Sequence, residues 1–250
     1  MIKKLCALLV LPITVVQPAI ASSNFDLTKF ANPERYFSIQ YDGFSMFYDC
    51  YEKSPVIVEA IIGNDTGNVK RSDDFKLDPN VPLECQQKST KSYRKYRNVA
   101  YDRGHLISHN QLDYSDSAAS ASFYFTNIHP QASTFNRSGW KYTEDLTECF
   151  RDDYEQVKVL VGLKFEDSSN DYQIKSHGIK TADKWWKIIQ TGDSYVAWVF
   201  PNSNSVRKSS ANRYLVSSQV IEQMIGLPLN IKSRQLTERE LPDVSKCDLS

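Results

Sequence analysis

The sequence predicts an α+β fold in which a mixed or antiparallel sheet is flanked by helices. Segments rich in β-branched and aromatic residues occur together with helical segments, but the two do not alternate regularly as in βαβ units. The sequence also contains no glycine-rich phosphate loop and no dinucleotide-binding fingerprint. The first observation favours α+β over a doubly wound parallel sheet. The second argues against an enzyme that uses a nucleotide cofactor.

Four segments have the composition of strands, namely residues 44–48, 56–62, 157–163 and 195–200. A turn rich in Gly, Asn and Asp follows the second of them. Two helices are predicted at residues 140–154 and 217–225, and the second is expected to end at Gly226 and Pro228.

The N-terminus has the features of a signal peptide. Lys3 and Lys4 precede an apolar run at residues 5–16, and small residues lead up to Ala21. We therefore expect residues 1–21 to be removed on export. No later stretch reaches the roughly 20 apolar residues that span a bilayer, so no membrane anchor is expected. The predicted location is secreted or periplasmic.

The rest of the 250-residue chain is expected to form one domain over residues 22–250. The hydrophobic content of 41% is enough for a sizeable core, and no Pro/Ser-rich linker or repeat marks a boundary. Cys50, Cys85, Cys149 and Cys247 remain after removal of the leader. An even number of cysteines in an oxidising compartment predicts two disulfides, with the pairing left open, and buried free thiols are the alternative.

Charge is balanced overall but unevenly distributed. The 30 basic and 30 acidic residues argue against a protein that coats nucleic acid through bulk basicity. However, cations crowd residues 88–103, whereas residues 144–155 are mostly acidic. A basic run is often only a solvated face. This one leads directly into the segment that carries the candidate chemistry.

That segment extends from residue 101 to Glu144 and contains a histidine, an arginine, an asparagine and a glutamate around an aromatic stretch. Hydrolysis of a phosphodiester needs a base that deprotonates water, a cation that neutralises the phosphorane, and positive or hydrogen-bonding groups at the non-bridging oxygens. The residue types present can supply all three.

The order of motifs in this segment resembles the DNA/RNA non-specific endonucleases of the ββα-metal type, whose signature is Asp-Arg-Gly-His. That signature is found at residues 102–105, and it is extended by Thr-Asn-Ile at residues 126–128, by Pro-Gln at residues 130–131 and by Asn136. Weaker similarity follows at residues 178–189, where Trp186-Lys187 resembles a later core strand of the family, and at residues 200–202.

The resemblance implies an endonuclease that cuts DNA and RNA with little sequence preference and leaves 5′-phosphates. By position, His105 matches the general base and Asn136 the protein ligand of Mg²⁺, which Mn²⁺ can replace. Arg103 matches a residue that stabilises the transition state and contacts substrate, and Glu144 a catalytic residue that orders metal-bound water. Asn127 and Arg137 are expected to bind substrate. The resemblance further implies that a strand pair carries the histidine and that the next helix carries the asparagine.

Two positions depart from the family pattern. His109 lies in the segment after the signature where Ala and Pro are usual, and His129 replaces a less ionisable residue. A changed rim of the site could alter substrate preference without altering the chemistry.

Several of these residues also fit a second role. His105 and His109 have the i, i+4 spacing that would suit zinc on a helix. Asn136 begins a glycosylation sequon, as does Asn64. Arg103 could be only an ion-pair partner of Asp102.

Glu144, the paired tryptophans and the protein as a whole likewise admit two interpretations. Glu144 could be only a carboxylate in the first turn of a helix. Trp185 and Trp186 could stack on bases, but a place in the core is the expectation. The rival function is a nucleic-acid-binding or adhesive protein that kept the scaffold and lost turnover.

Overall fold

The computed structural model describes residues 27–63 and 65–249. The predicted signal peptide and the sequon asparagine Asn64 lie outside the described residues. Within those ranges, no helix is both long and apolar enough to cross a membrane.

The described chain contains nine strands, which form a seven-stranded sheet and a separate two-stranded pair. The large sheet has the order β1-β2-β3-β6-β7-β8-β9, and all neighbours are antiparallel except β8 and β9. Its strands are β1 (Tyr36–Gln40), β2 (Phe44–Asp49), β3 (Ser54–Ile62), β6 (Val157–Lys164), β7 (Lys184–Thr191), β8 (Ser194–Pro201) and β9 (Arg234–Gln235). The separate pair consists of β4 (Tyr101–His105) and β5 (Ile128–Ala132).

Four α-helices and one π-helix accompany the strands in the described ranges: α1 (Asp116–Ser122), the π-helix Phe135–Trp140, α2 (Lys141–Asp153), α3 (Ile174–His177) and α4 (Ser218–Ile225). Short 3-10 turns occupy Thr28–Phe30, Leu83–Cys85, His109–Gln111, Phe125–Asn127, Lys208–Tyr214, Glu238–Glu240 and Val244–Lys246. The α+β prediction is therefore confirmed, as are the four strands and two helices predicted from composition.

Helix α4 ends where the sequence predicts. Gly226 adopts φ 64°, and its N–H donates to Glu222, which closes the last turn. A left-handed residue after a helix is most easily a glycine, because glycine has no Cβ to clash.

The large sheet separates two hydrophobic layers. Trp185, Ile189 and Trp198 face a core that also contains Trp140 and α2. On the opposite face, Trp186 and Ile188 pack with residues of α4 and the segment after it. Trp185 and Trp186 are fully buried, one on each side of the sheet, which confirms that they belong to the core.

The β4–β5 pair, the π-helix and α2 follow one another as a ββα unit on the α2 side of the sheet. Asn202, at the end of β8, joins this unit to the sheet. Its amide nitrogen donates to the carbonyls of Pro130 and Ala182 at 2.9 Å, and its oxygen accepts from Ala132 N at 2.7 Å. The position of the β4–β5 pair is thus fixed by the end of a core strand.

Two disulfides connect Cys50 with Cys85 and Cys149 with Cys247. The prediction of two disulfides is confirmed, and the structure selects one of the pairings that the sequence left open. The second bond attaches the C-terminal segment to α2, across 98 residues of chain.

Candidate active site

The β4–β5 pair presents two faces, because successive side chains of a strand point to opposite sides. Tyr101, Arg103 and His105 share one face of β4, whereas Asp102 and Gly104 share the other. A Cβ at Gly104 would overlap the side chain of the buried Gln131. The glycine of the signature is therefore required by the close packing of β5 against β4.

His105 is held at the end of β4. Its carbonyl oxygen accepts a hydrogen bond from Trp140 Nε1 at 3.1 Å, which connects it to the start of α2. The ring lies 5.5 Å from the rings of Phe75 and Phe123, and the residue is only 8% exposed. Its Nε2 is buried without a hydrogen-bond partner among the described residues.

The surroundings of His105 keep its imidazole neutral. Burial lowers its pKa to about 3, and the positive charges of Arg71, His109 and Arg103 act in the same direction. A neutral imidazole can accept a proton, whereas an imidazolium cannot. His105 is therefore in the protonation state that a general base requires.

Asp102 organises the start of the π-helix on the opposite face. Its carboxylate accepts hydrogen bonds from Ser133 Oγ at 2.8 Å, Asn136 Nδ2 at 3.0 Å and Arg137 Nε at 2.8 Å. Burial raises the pKa of Asp102, but the hydrogen bonds from Arg137, Asn136 and Ser133 outweigh it and hold the pKa below its usual value. The interpretation of Arg103 as the ion-pair partner of Asp102 is wrong, since Arg137 takes that place.

Asn136 is oriented by this contact. Because its amide nitrogen donates to Asp102, its oxygen remains to accept or coordinate another group. It lies on a six-residue π-helix, a rare geometry that is frequent at functional sites. Arg137 is 73% exposed along its side chain while it holds Asp102, so its guanidinium is accessible from solvent.

Asn127 requires a correction. It is fully buried, and its side chain is engaged with backbone groups: it accepts from Ile107 N at 3.1 Å and donates to Ile107 O at 2.8 Å and Ser122 O at 2.9 Å. The amide therefore fixes the chain just after His105. The substrate contact predicted for Asn127 does not fit this geometry, and a positioning role replaces it.

Two arginines face the histidine. Arg103, predicted from the signature, stacks its guanidinium 3.7 Å from the centre of the Phe75 ring. Arg71, which the sequence did not single out, lies 5.2 Å over Phe123. Burial lowers the pKa of both His105 and His109, and the charge of Arg71 acts in the same direction. Arg71 lies in an irregular segment far from the signature, so no local motif indicated it.

Glu144 lies in the first turn of α2, as predicted, next to a buried lysine. Burial raises the pKa of Glu144, while Lys187 and Lys141 oppose the rise. Lys187 comes from β7, is 1% exposed, and places its ammonium 3.9 Å from the centre of the Trp140 ring. Burial lowers the pKa of Lys187 to about 8, against the attraction of Glu144. The carboxylate and the ammonium thus stabilise each other in a desolvated region.

A cavity of about 260 Å³ borders this region. It is lined by Arg71, Ser108, His109, Asn110, Lys141, Glu144, Asp145, Glu148 and Leu249. Burial raises the pKa of Glu148 to about 7, although Arg151 forms an ion pair with it. The cavity therefore joins cationic and acidic side chains at the edge of the ββα unit.

A zinc site at His105 and His109 does not fit the backbone. His105 ends a strand, and His109 begins a 3-10 turn, so the two do not share a helical face. In the ranges 27–63 and 65–249, no group of three or more His, Cys, Asp or Glu side chains converges as a metal site. The amide oxygen of Asn136 is a hard ligand of the kind that suits a cation such as Mg²⁺, which keeps several of its waters.

The structure thus arranges His105, Arg103, Arg71, Asn136 and Glu144 around the ββα unit and places Asn127 inside it. The sequence matches the DNA/RNA non-specific endonuclease family over residues 22–237. The family uses a divalent metal.

Two curated relatives and one solved structure illustrate the similarity. The chain is 24% identical to mitochondrial nuclease 1 of Schizosaccharomyces pombe over 231 residues, which covers 83% of this chain and 70% of that protein. It is 26% identical to human mitochondrial endonuclease G over 172 residues, covering 63% of this chain and 56% of that protein.

The solved structure is a crystal structure of an EndoG/EndoGI complex, described as showing the mechanism of EndoG inhibition. It aligns with a TM-score of 0.63 and 21% identity, and covers 84% of this chain and 94% of that one. At this identity the alignment supports the fold alone, which agrees with the ββα unit and sheet described above. Taken with the sequence match, these findings show that the chain belongs to the DNA/RNA non-specific endonuclease family and is an endonuclease.

Proposed function

We propose that the protein is an exported, Mg²⁺-dependent endonuclease that cuts DNA and RNA with little sequence preference and leaves 5′-phosphates. The observation that carries the proposal is the neutral, buried imidazole of His105 beside Arg103 and Arg71. A base flanked by cations suits an anionic phosphodiester, which would be repelled by a site of carboxylates alone.

His105 accepts a proton from the attacking water. Its low pKa in the free protein results from burial and from neighbouring positive charge. A bound phosphate would bring negative charge, which favours the imidazolium and raises this pKa toward the range useful for a base. The water oxygen bonds to phosphorus as the bond to the 3′ oxygen breaks, so the phosphate stays on the 5′ carbon.

Arg103 and Arg71 stabilise the charge that develops on the phosphate oxygens. Both guanidinium groups lie against aromatic rings, Phe75 and Phe123, which limits their motion and directs their donors. Donors that are already in place need no reorganisation during the reaction. Mg²⁺ held at Asn136 would supply a Lewis acid for the scissile phosphate and the leaving oxygen.

Glu144 is proposed to order water in the site and Arg137 to contact the substrate backbone. Arg137 is exposed enough to reach a phosphate while it holds Asp102. All of these groups act on phosphate, water or metal rather than on base edges, which supports broad substrate range across DNA and RNA.

Export is supported by the N-terminal sequence and by the two disulfides, since disulfides persist mainly in oxidising compartments. The curated relatives named above are mitochondrial. Expression with the native leader, followed by assay of the culture medium, periplasm and cytoplasm, tests the location. A protein that keeps residues 1–21 and stays in the cytoplasm contradicts export.

The activity is tested with supercoiled plasmid and with a structured RNA, each incubated with Mg²⁺, with Mn²⁺ and with EDTA. We expect both substrates to be degraded with either metal and to stay intact in EDTA. Labelling of the products by a kinase only after phosphatase treatment would identify 5′-phosphates. Tight binding of DNA without cleavage in any metal would instead favour a non-catalytic nucleic-acid-binding protein.

A further inference from the structure

Five exposed cations lie close together in sequence just before the β4–β5 pair. This basic strip consists of Lys88, Lys91, Arg94, Lys95 and Arg97. No acidic side chain in the described part of the chain forms an ion pair with any of them. Their charge is therefore available to a ligand.

The backbone of the basic strip is fixed by two buried side chains. The amide of Gln173 accepts from Arg94 N at 3.1 Å and donates to Arg94 O at 2.8 Å, as a neighbouring strand would. His177 Nε2 lies 2.8 Å from Lys91 O, and His177 O accepts from Lys88 N at 2.8 Å. A surface that is ordered before binding loses less conformational entropy when a ligand arrives.

The basic strip adjoins the catalytic face of β4. Tyr93, which lies between Lys91 and Arg94 in the sequence, packs in a small core with Phe125, Ile128 and the partly buried Phe75. Phe75 in turn lies under Arg103 and beside His105. The strip and the candidate catalytic side chains therefore rest on the same small core.

Tyrosines connect the two regions. Tyr101 shares the face of Arg103 and His105, about 13 Å along the strand from His105 at 3.3 Å per residue. Its ring lies 6.5 Å from that of Tyr172, which stacks on the ring of the exposed Tyr96. Arg97 lies 5.4 Å over Tyr96. Aromatic rings next to cations are the usual means by which proteins bind single nucleic-acid strands.

We propose that the basic strip binds the phosphates of a single nucleic-acid strand that leaves the candidate active site past Tyr101, with Tyr172 and Tyr96 as a platform for its bases. The inference rests on the proposed nuclease function and names a contact outside the cleft. The basic strip holds long substrates, whereas cleavage depends on the side chains of the candidate active site.

The test uses a triple variant of the full chain, Lys91→Gln/Arg94→Gln/Lys95→Gln. The matched control, Lys232→Gln/Arg239→Gln/Lys246→Gln, removes the same number of exposed cations near the C-terminus. Binding of fluorescent oligo(dT) of 6 and 25 nucleotides is measured in EDTA at several salt concentrations. Melting temperatures verify that both proteins are folded.

We expect the strip variant to bind the 25-mer about 10-fold or more weakly, because phosphate contacts are lost. The slope of log affinity against log salt concentration should also decrease by about 0.7 for each phosphate contact removed. Binding of the 6-mer, and kcat on it with Mg²⁺, should change less than about twofold, as only the cleft is engaged. The control should resemble wild type throughout. Equal losses in both triple variants, or an unchanged 25-mer affinity, would overturn the proposal.

Tyr96→Leu provides a second variant that leaves the charge intact. Loss of a stacking platform should weaken 25-mer binding about 5-fold, with a smaller effect on a duplex of the same length. A larger effect on the duplex would contradict single-strand binding. Plasmid cleavage by the wild-type protein is measured separately. If the wild type cuts plasmid but the strip substitutions do not weaken binding, this inference alone is refuted. If the strip substitutions weaken binding but the wild type does not cut plasmid, the nuclease proposal alone is refuted.

Discussion

The large sheet and the β4–β5 pair are both buried, but they differ in the types of side chain that they bury. The sheet packs mainly aliphatic and aromatic side chains on each face, such as Ile189 on one and Ile188 on the other, although the Nε1 atoms of its Trp185 and Trp186 also lack a partner among the described residues. The β4–β5 pair buries His105, His129 and Gln131, which have polar side-chain atoms without partners among the described residues. An unpartnered buried polar group costs about 1–3 kcal/mol. The sheet therefore supplies stability that offsets the cost of holding reactive groups ready in the pair.

Substitutions in the two regions should therefore have different consequences. Changes to the polar groups around the β4–β5 pair should affect turnover more than stability. Changes to its close packing, or to the sheet beneath it, should affect stability or the charge state of the site.

Asn136→Ala is expected to have a large effect on turnover. Removal of the proposed metal ligand should lower kcat roughly 10²-fold or more, because several kcal/mol of charge stabilisation are lost. The midpoint of the Mg²⁺ titration should rise as well. Arg137→Ala is the matched control, since Arg137 is the neighbouring residue that also binds Asp102. It should raise KM while leaving the metal titration near wild type, and a wild-type titration for Asn136→Ala would remove its assignment as ligand.

Gly104→Ala should destabilise the fold by about 1–3 kcal/mol, since the added methyl group overlaps the side chain of Gln131. Gly63→Ala is the control, because a Cβ there meets no atom within 4 Å. Urea denaturation of both variants measures the difference. Equal stability of the two alanine variants would show that the β4–β5 packing is looser than described, and partial rescue of Gly104→Ala by Gln131→Ala would confirm the clash.

Lys187→Met is expected to have a smaller effect on activity. Lys187 opposes the rise in the pKa of Glu144, so its loss should raise that pKa further. The ionised form of Glu144 would then require higher pH. The acid limb of the kcat profile should shift to higher pH, with activity at neutral pH reduced roughly tenfold, as for other supporting residues. Unfolding should also become easier at neutral pH, because loss of the ammonium leaves the buried carboxylate of Glu144 without its compensating charge.

Lys184→Met, on the same strand but paired with the exposed Glu166, serves as the control and should keep the wild-type pH profile. If both lysine variants have the same profile, Lys187 does not act on the site.

The sequence predicted what depends on local pattern. Runs of β-branched residues, turn residues and Gly226 made six elements predictable, namely strands β2, β3, β6 and β8 and helices α2 and α4. The sites of His105, Arg103, Asn136 and Glu144 followed from the resemblance, and the structure arranges them around one ββα unit. Their catalytic roles stay predictions.

What the sequence did not predict depends on contacts between distant segments. Arg71 approaches His105 through the folding of an irregular loop, and Lys187 reaches Glu144 from β7 across the core. Asn127 looked like a substrate ligand, but its burial against Ile107 and Ser122 could be seen only once the chain was folded. The pairing of the cysteines, Cys50 with Cys85 and Cys149 with Cys247, was likewise visible only in the folded structure.

The most direct test of the proposed mechanism is His105→Ala, measured for cleavage rate, DNA affinity in EDTA and melting temperature on one preparation. We predict a turnover lower by about 10²–10⁴-fold with DNA affinity close to wild type, because the proton acceptor is removed. The melting temperature should fall only by the lost packing of the ring against Phe75 and Phe123. A folded variant that cuts DNA at the wild-type rate would contradict the role of His105 as the general base.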